Sequence, residues 1–456
     1  WKKCCLYDII VSINKHLAEQ GDFMEFNLKA EGCACGKQHL FKSRIIIGEN
    51  AVDKLPEVLA SLNCTKPFIL ADRNTYEVAG KYVFDLLHKN GIDAEKYIFN
   101  KAILEPDETN VGLAAMNFSP ICDMVIGVGS GVINDISKII ANISNKPYII
   151  VGTAPSMDGF ASATSSMTME GLKISLNSKC ADVIIGDTNI LCKAPVHMMI
   201  SGLGDMLAKY VSICEWRISN IINGEYYCED IASLVRASLK KCVDNAEGLV
   251  NKEKKAVEAV FEGLILCGAA MKFAGVSRPA SGTEHYLSHI WDMRGAEFGT
   301  PVEFHGIQCA VGTLLSIKLY EKIKEITPER KKAFEYVEKF DFYAWSETLR
   351  EFLGKGAESM IALEEKERKY DIESHKKRFE IIAGKWNEIQ SIIEEELPSI
   401  EELQSLYTKV GLPETMAEIG LDEDILPLTF KASKDIRDKY VLPRLCWDLG
   451  IIDEII

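Results

Sequence analysis

The feature that most constrains the fold is a change of hydrophobic periodicity near residue 200. Before this point, short and fully apolar runs alternate with single amphipathic helices, and Pro67–Ala71 and Pro147–Val151 are clear examples of such runs. Fully apolar runs indicate strands buried on both faces, and strands separated by one helix each indicate βαβ units in a parallel sheet. Beyond residue 200 the apolar residues recur at helical spacing. The pattern predicts an α/β domain with a parallel sheet, followed by an all-α domain.

The length of the chain supports this division. At 456 residues the chain exceeds one typical domain. We predict an N-terminal extension over 1–40, an α/β domain over 41–195 and an all-helical domain over 196–456. The formal charge of −15 argues against nucleic acid as a partner, because binding phosphate backbones requires a basic surface. Since no apolar run reaches 18 residues, no membrane span is expected.

The cysteines predict a reducing compartment. Fourteen are scattered through apolar stretches, which is typical of buried thiols rather than of a disulfide framework. We therefore expect a cytoplasmic protein. Two cysteines and a histidine stand close together in Cys33-Ala-Cys35-Gly-Lys-Gln-His39. A metal site there needs a fourth ligand and none is adjacent, so the favoured interpretation is a glycine-terminated turn with two incidental thiols.

A glycine-rich turn, Gly127–Gly131 (GVGSG), follows an apolar run and leads into a predicted helix. Glycines let the backbone approach a pyrophosphate, and a helix N-terminus favours its negative charge. The spacing differs from the Gly-x-Gly-x-x-Gly of standard dinucleotide folds, and a tight strand–helix connection explains the turn equally well. Asp72 ends the preceding predicted strand. A carboxylate there can bind an adenosine ribose and repel a 2′-phosphate, which favours NAD(H) over NADP(H), or it can cap a helix.

Residues of metal-ligand type occur in the helical half. Asp205 lies in an otherwise apolar stretch, and His285 and His289 are four residues apart and so share a helical face. With His305, three of the chain's eight histidines lie within residues 285–305. Singly, each histidine is typical of an ordinary core or surface position. One carboxylate and two imidazoles together favour a divalent metal site with an open position for a substrate oxygen.

Several segments resemble the iron-containing (group III) alcohol dehydrogenase superfamily, and in particular its bacterial-type glycerol-1-phosphate dehydrogenases. These segments occur in the same order along the chain as in the family. The resemblance runs from about Cys33 to the C-terminus, and its most specific segments are Gly127–Lys138, Gly152–Ser162, Gly202–Lys209, Ser281–His289 and Phe304–Gly312. It implies the dehydroquinate synthase-like architecture, in which the α/β domain over 41–195 binds NAD(P) and the all-helical domain over 196–456 binds metal and substrate. It also implies one divalent ion per chain, Zn²⁺, Ni²⁺ or Fe²⁺, bound by Asp205, His285 and His305.

The resemblance implies further roles for residues near these ligands. His289 would act as a proton relay or hydrogen-bond partner, and Asp158 would bind a substrate hydroxyl. The residues implied in cofactor binding are Gly129, Ser130, Gly131, Asp135, Thr153 and Ser156. The implied reaction is the reversible reduction of dihydroxyacetone phosphate to sn-glycerol-1-phosphate, with hydride from NAD(P)H and the substrate oxygen on the metal.

A polyol phosphate substrate requires a cationic end to its pocket. Candidates are Lys173, Lys209 and Arg278, of which Lys209 lies one helical turn beyond Asp205. The first alternative is a glycerol (polyol) dehydrogenase of the same superfamily. A second is a 3-dehydroquinate-synthase-like lyase, but Lys and Arg residues are sparse near these motifs, which argues against it. A third is a non-catalytic nucleotide-binding regulator, but such a protein needs no open metal site. The family also implies a homodimer or larger homo-oligomer.

Overall fold

The computed structural model describes residues 23–30, 33, 35–169 and 172–456. Two strands lie near its start, β1 (Phe23–Ala30) and β2 (His39–Gly48), and they pair in antiparallel orientation. The described part of the predicted extension over 1–40 therefore belongs to the sheet of the α/β region. The physical reason is that β1 supplies backbone hydrogen-bond partners to a strand that would otherwise be an open edge.

The sheet containing β1 and β2 has seven strands in the order β1-β2-β9-β6-β5-β3-β4. Every neighbouring pair is parallel except β1 with β2, so six strands run parallel and the predicted parallel sheet is confirmed. Strands β5, β6 and β9 are buried at every residue, as expected when helices cover both faces. Strands β7 and β8 form a separate antiparallel hairpin. The remaining strands are β3 Pro67–Asp72, β4 Glu95–Phe99, β5 Met124–Gly129, β6 Tyr148–Gly152, β7 Thr164–Met169, β8 Leu172–Asn177 and β9 Val183–Asp187.

The strand order reverses between β3 and β5. From β3 the chain moves outward to β4, and it then returns through β5 to β6 and β9 on the other side. In open α/β sheets, ligands bind outside the carboxyl ends of the strands at such a reversal. Asp72 is the last residue of β3 and Gly129 the last residue of β5. The topology therefore brings both predicted cofactor motifs to the place where a nucleotide is expected.

Helices surround the sheet and make up most of the chain from Val196 onward, as predicted. No helix in the described ranges is long and apolar enough to cross a membrane. Helices of seven or more residues in the described chain are α1 Leu55–Ser61, α2 Lys81–Lys89, α3 Glu108–Asn117, α4 Gly131–Ser144, α5 Val196–Leu207, α6 Lys209–Asn223, α7 Glu229–Asn245, α8 Lys254–Ala274, α9 Thr283–Phe298, α10 His305–Lys324, α11 Arg330–Glu338, α12 Phe342–Leu353, α13 Ala357–Glu367, α14 Ile372–Gly384, α15 Trp386–Glu396, α16 Ile400–Val410, α17 Leu426–Ser433 and α18 Leu442–Asp448.

The chain forms two compact units whose limits differ from the predicted boundary between residues 195 and 196. Unit 1 runs to Met206 and includes Cys228–Val276, and unit 2 consists of Leu207–Tyr227 and Ser277–Ile456. Helices α7 and α8 therefore belong with the sheet. The reason is local packing: a Cβ on Gly152 would lie 2.8 Å from the Phe261 ring of α8, so the glycine at the end of β6 makes room for that ring.

Candidate active site and metal centre

The glycine-rich turn joins β5 directly to α4. A Cβ on Gly129 would lie 2.5 Å from the Cβ of Ile133, so only glycine allows this close packing of the helix on the strand end. Ser130 is the N-cap residue of α4 but, among the described residues, its side chain makes no capping hydrogen bond to the helix. The helix begins at Gly131, and N–H groups in the first turn of a helix are suited to binding a phosphate.

The segment after β6 lies beside this turn. The Thr153 N–H donates a hydrogen bond to the Gly129 carbonyl at 3.1 Å. The hydroxyl groups of Ser130 and Ser156 are hydrogen-bonded to each other. The structure thus brings together four predicted cofactor residues that come from two separate sequence motifs.

Asp135 lies one turn into α4 and contacts a buried lysine. The Lys138 ammonium is fully buried and lies 3.5 Å from the Asp135 carboxylate. It also donates hydrogen bonds to the carbonyls of Gly159 at 2.5 Å and Thr164 at 3.0 Å. These two hydrogen bonds of Lys138 connect α4 to the chain that follows β6. The predicted contact of Asp135 with the cofactor stays a prediction.

Asp72 caps the helical turn Arg73–Thr75. Its Oδ1 accepts the N–H groups of Asn74 at 2.8 Å and Thr75 at 2.9 Å, while its own N–H donates to the Thr75 hydroxyl at 3.0 Å. This reciprocal arrangement is a capping box. The helix-cap interpretation of Asp72 is therefore correct, and its predicted contact with the adenosine ribose stays a prediction.

Asp205 contacts the segment that carries Asp158. A Cβ on Gly202 would overlap the carbonyl group of Pro155, so glycine lets α5 approach this segment closely. One turn further along α5, the fully buried Asp205 carboxylate accepts the Asp158 N–H at 2.9 Å. A buried carboxylate is tolerated where hydrogen bonds or a cation offset its desolvation, and this environment fits a metal ligand.

The three predicted histidines lie close together in unit 2. The ring centroids of His285 and His305 are 5.0 Å apart, and those of His289 and His305 are 6.0 Å apart. Cys309, one turn along α10 from His305, extends this group. One potential ligand atom from each of His285, His305 and Cys309 lies within 4.8 Å of the other two. The sequence analysis missed Cys309, although its spacing of four residues from His305 was a usable signal.

Both predicted histidine ligands have hydrogen bonds that would orient their rings. The His285 Nδ1 lies 2.8 Å from a carboxylate oxygen of the fully buried Glu284. The His305 Nδ1 lies 3.3 Å from the Ser288 hydroxyl, which accepts a hydrogen bond from Gln308 at 3.1 Å. Metal-bound histidines use such contacts to fix the ring and its tautomer. Each ring thus has a polar neighbour at its Nδ1 atom.

Cys309 has an unusual electrostatic environment. Burial alone would raise the pKa of its thiol, but the neighbouring His285 and His305 imidazoles hold that pKa below its ordinary value. The Cys309 sulfur lies 3.6 Å from the His305 Nε2. Two oriented imidazoles beside a thiol form a donor set that suits a divalent transition metal.

Two lysines approach the start of α9. The Lys209 ammonium, almost fully buried, donates to the Ala280 carbonyl at 3.0 Å. The Lys439 ammonium donates to the next carbonyl, that of Ser281, also at 3.0 Å. The sequence analysis singled out Lys209 but missed Lys439, because nothing in the local pattern links residues 230 positions apart.

Arg278 and Lys173 are the other two candidates for binding the substrate phosphate. Arg278 is 2% exposed, and its guanidinium donates to Glu225 at 2.7 Å and to the Tyr440 carbonyl at 2.8 Å. These contacts give Arg278 a structural role in unit 2. The side chain of Lys173 lies outside the described residues.

Arg278 nevertheless affects the charge state of Lys439. Burial, together with the positive charges of Arg278 and Arg437, lowers the pKa of Lys439 to about 7. A lysine with this depressed pKa is poised to gain a proton when an anion binds nearby. The positive charges of Arg278 and Arg437 beside Lys439 suit a phosphate group, and Glu284 and Glu225 partly offset them.

Comparisons with known proteins agree with the predicted family and fold. The family model for iron-containing alcohol dehydrogenases matches residues 46–195. The glycerol-1-phosphate dehydrogenase of Halalkalibacterium halodurans is 34% identical over 297 residues, which cover 64% of this chain and 74% of that protein. The corresponding protein of Bacillus velezensis is 35% identical over 300 residues, covering 64% and 76%.

Among solved structures, glycerol dehydrogenase from Schizosaccharomyces pombe aligns with a TM-score of 0.58 and 18% identity, over 90% of this chain and 89% of that one. At this identity the likeness concerns the fold alone, and it confirms the predicted fold class. The family itself is established by the more similar relatives. The chain belongs to the iron-containing alcohol dehydrogenase family and, within it, to the glycerol-1-phosphate dehydrogenase type.

Proposed function

We propose that the chain is a metal-dependent, NAD(P)H-linked sn-glycerol-1-phosphate dehydrogenase that reversibly reduces dihydroxyacetone phosphate. The observation that carries the proposal is the 34% identity to a glycerol-1-phosphate dehydrogenase over 74% of that relative's length. The enzyme is thus an oxidoreductase acting on a CH–OH group. NAD(P)H supplies the hydride, and the protein holds the two reacting carbons in position.

The cofactor would bind where the strand order reverses between β3 and β5. N–H groups at the start of α4 and the Ser130 hydroxyl are suitable donors to a pyrophosphate. Asp135, Thr153 and Ser156 would lie towards the nicotinamide. We propose NAD(H) rather than NADP(H), because the Asp72 carboxylate at the end of β3 would repel a 2′-phosphate.

Asp205, His285 and His305 would hold one divalent ion. When bound, such an ion polarises a carbonyl group as a Lewis acid. Glu284 and Ser288 would keep the two imidazoles oriented, as their distances of 2.8 and 3.3 Å to the Nδ1 atoms suggest. Zn²⁺, Ni²⁺ and Fe²⁺ all accept this combination of ligands.

Two further residues would act on the substrate directly. His289, whose ring lies 6.0 Å from that of His305, would donate a proton to the substrate oxygen during reduction and accept one during oxidation. Asp158 would accept a hydrogen bond from a substrate hydroxyl. Its backbone contact with Asp205 supports a position close to the reacting end of the substrate.

A phosphate group would distinguish this substrate from free dihydroxyacetone, and Lys209 and Lys439 would bind it. Removing one charge-assisted hydrogen bond typically loses about 1.5–3 kcal/mol. We therefore expect Lys209→Ala to raise the KM for dihydroxyacetone phosphate on the order of 10- to 100-fold, with little change in the KM for NADH. Lys209→Arg, which keeps the charge, is the matched control. An unchanged KM in the alanine variant would remove Lys209 from the phosphate site.

A glycerol dehydrogenase is the principal alternative. A clear test is which of the two enantiomers of glycerol phosphate the chain oxidises. The proposed enzyme oxidises sn-glycerol-1-phosphate with NAD⁺ and leaves the enantiomer, sn-glycerol-3-phosphate, unchanged. Equal oxidation of both enantiomers, or preference for unphosphorylated glycerol, would contradict the proposal.

A further inference from the structure

A second group of metal-binding side chains lies entirely within unit 1. Cys33 and Cys35 precede β2, His39 is its first residue, and Cys228 is the N-cap residue of α7. One ligand atom from each of the four lies within 4.8 Å of all the others, although 189 residues separate His39 from Cys228. The sequence analysis favoured an incidental turn because no fourth ligand was adjacent. The fold supplies that ligand from a distant part of the chain.

The separations within this group match a tetrahedral ion site. The sulfurs of Cys33 and Cys228 are 3.4 Å apart, and the His39 Nε2 lies 3.3 Å from the Cys35 sulfur and 3.8 Å from the Cys228 sulfur. With Zn–S bonds of about 2.3 Å and Zn–N bonds of about 2.0 Å, ligand atoms at tetrahedral angles lie roughly 3.5–3.8 Å apart. The observed separations agree with these values to within a few tenths of an ångström.

The backbone at Cys33 and Cys35 forms a tight turn. The Gly36 N–H donates to the Cys33 carbonyl at 3.0 Å, and Gly36 has a φ of +76°. Glycine adopts this left-handed conformation without steric strain. The turn brings Cys33 and Cys35 to the same side of the chain, facing the imidazole of His39.

The surroundings favour a bound cation over a set of free thiols. Cys33, His39 and Cys228 are 6%, 1% and 2% exposed, so their ligand atoms are shielded from solvent. Among the described residues, the His39 Nδ1 has no hydrogen-bond partner. Its Nε2 instead faces the sulfurs of Cys35 and Cys228, the atoms with which it would share an ion.

We propose that Cys33, Cys35, His39 and Cys228 form a structural site for one Zn²⁺. Three thiolates and one imidazole fill all four tetrahedral positions, and a closed site of this kind stabilises a fold instead of binding substrate. The ion would connect the segment between β1 and β2 to the start of α7. Its binding free energy would contribute to the stability of unit 1. The proposal is independent of the proposed dehydrogenase activity.

A disulfide does not explain the cluster. The Cys33 and Cys228 sulfurs, at 3.4 Å, are well beyond the S–S bond length of about 2.05 Å. All twelve cysteines that the structure describes are free thiols. The cysteines of the cluster are therefore in the reduced state that metal binding requires.

Metal content measured on the purified full-length chain tests the proposal. After dialysis, elemental analysis should find one zinc fewer per chain in Cys228→Ser than in the wild type. Cys122→Ser, which removes a buried thiol of unit 1 outside the cluster, should retain the wild-type content. Equal zinc in Cys228→Ser and wild type would overturn the proposal.

Thiol alkylation of the wild-type chain gives a second test that does not depend on whether a variant folds. Cys35 is only partly buried, so a free thiol there should react with iodoacetamide. The zinc site predicts that Cys35 is protected as purified and becomes alkylated after treatment with a strong chelator. Alkylation of Cys35 to the same extent before and after chelation, or a Cys33–Cys228 disulfide found by mass spectrometry, would contradict a zinc site.

Discussion

The close approach of α5 to the segment carrying Asp158 can be tested by adding a single methyl group. In Gly202→Ala, the new Cβ would lie 2.8 Å from the carbonyl carbon of Pro155 and closer still to its oxygen. Cβ atoms essentially never approach other atoms within 3.0 Å, so the helix and the segment must move apart. Asp205 lies one turn further along the same helix and would move with it.

The expected magnitude follows from this geometry. Extra atoms in a well-packed interior typically destabilise by about 1–3 kcal/mol, and replacing a helical glycine with alanine offsets about 0.5–1 kcal/mol of that. The loss of stability should therefore be small. A displacement on the order of 1 Å at a catalytic centre can lower the rate about 100-fold. Activity should thus fall far more than stability, because the Asp158 N–H to Asp205 hydrogen bond of 2.9 Å would lengthen.

The assay compares kcat/KM for dihydroxyacetone phosphate, metal content and thermal unfolding in two alanine variants. Gly112→Ala is the matched control, since Gly112 lies in helix α3 of the same unit and its added Cβ meets nothing within 4 Å. We expect Gly112→Ala to retain wild-type activity. A Gly202→Ala enzyme with wild-type kcat/KM and full metal content would refute the claim that this contact positions Asp205.

Three further predictions concern the metal, the cofactor and the substrate. Glu284→Gln removes the carboxylate that orients His285 and should weaken metal binding about 10- to 100-fold, measured by competition with a chelator, whereas unchanged affinity would exclude an orienting role. Asp72→Ala should lose about 1 kcal/mol of capping energy and raise the ratio of NADPH-linked to NADH-linked activity, and an unaltered ratio would argue against a ribose contact. The KM for dihydroxyacetone phosphate should be nearly constant below pH 7 and rise above it, since Lys439, with its pKa lowered to about 7, then loses its charge. The same rise in a Lys439→Arg enzyme would assign that dependence to another group.

The parallel sheet could be predicted because its inner strands have a purely local signature. Strands β5 and β6 are apolar at nearly every residue and are buried throughout. Strand β4 (Glu95–Phe99) was missed, because it forms the edge of the sheet and begins with two charged residues, Glu95 and Lys96. Edge strands are only partly covered, so they lack the apolar run that identifies a buried strand.

The site residues could be predicted where chemistry and spacing occur together within one segment. His285 and His289 share a helix turn, and the glycine-rich turn is contiguous, so both could be recognised directly. Cys228 and Lys439 could not, because each joins its group through tertiary folding across large sequence separations. Asp72 illustrates a different limit, since a carboxylate after a strand has the same sequence pattern whether it caps a helix or binds a ribose.

The most direct test of the proposed function is NADH oxidation by the full-length chain with dihydroxyacetone phosphate. The rate is measured before chelation, after chelation, and after Zn²⁺ or Ni²⁺ is added back. We predict that oxidation is lost with the metal and restored by it, with little activity on dihydroxyacetone at any stage. Turnover of dihydroxyacetone alone would identify a glycerol dehydrogenase instead. Failure to oxidise NADH with either substrate, in protein that retains metal and binds NAD(H), would contradict the central claim.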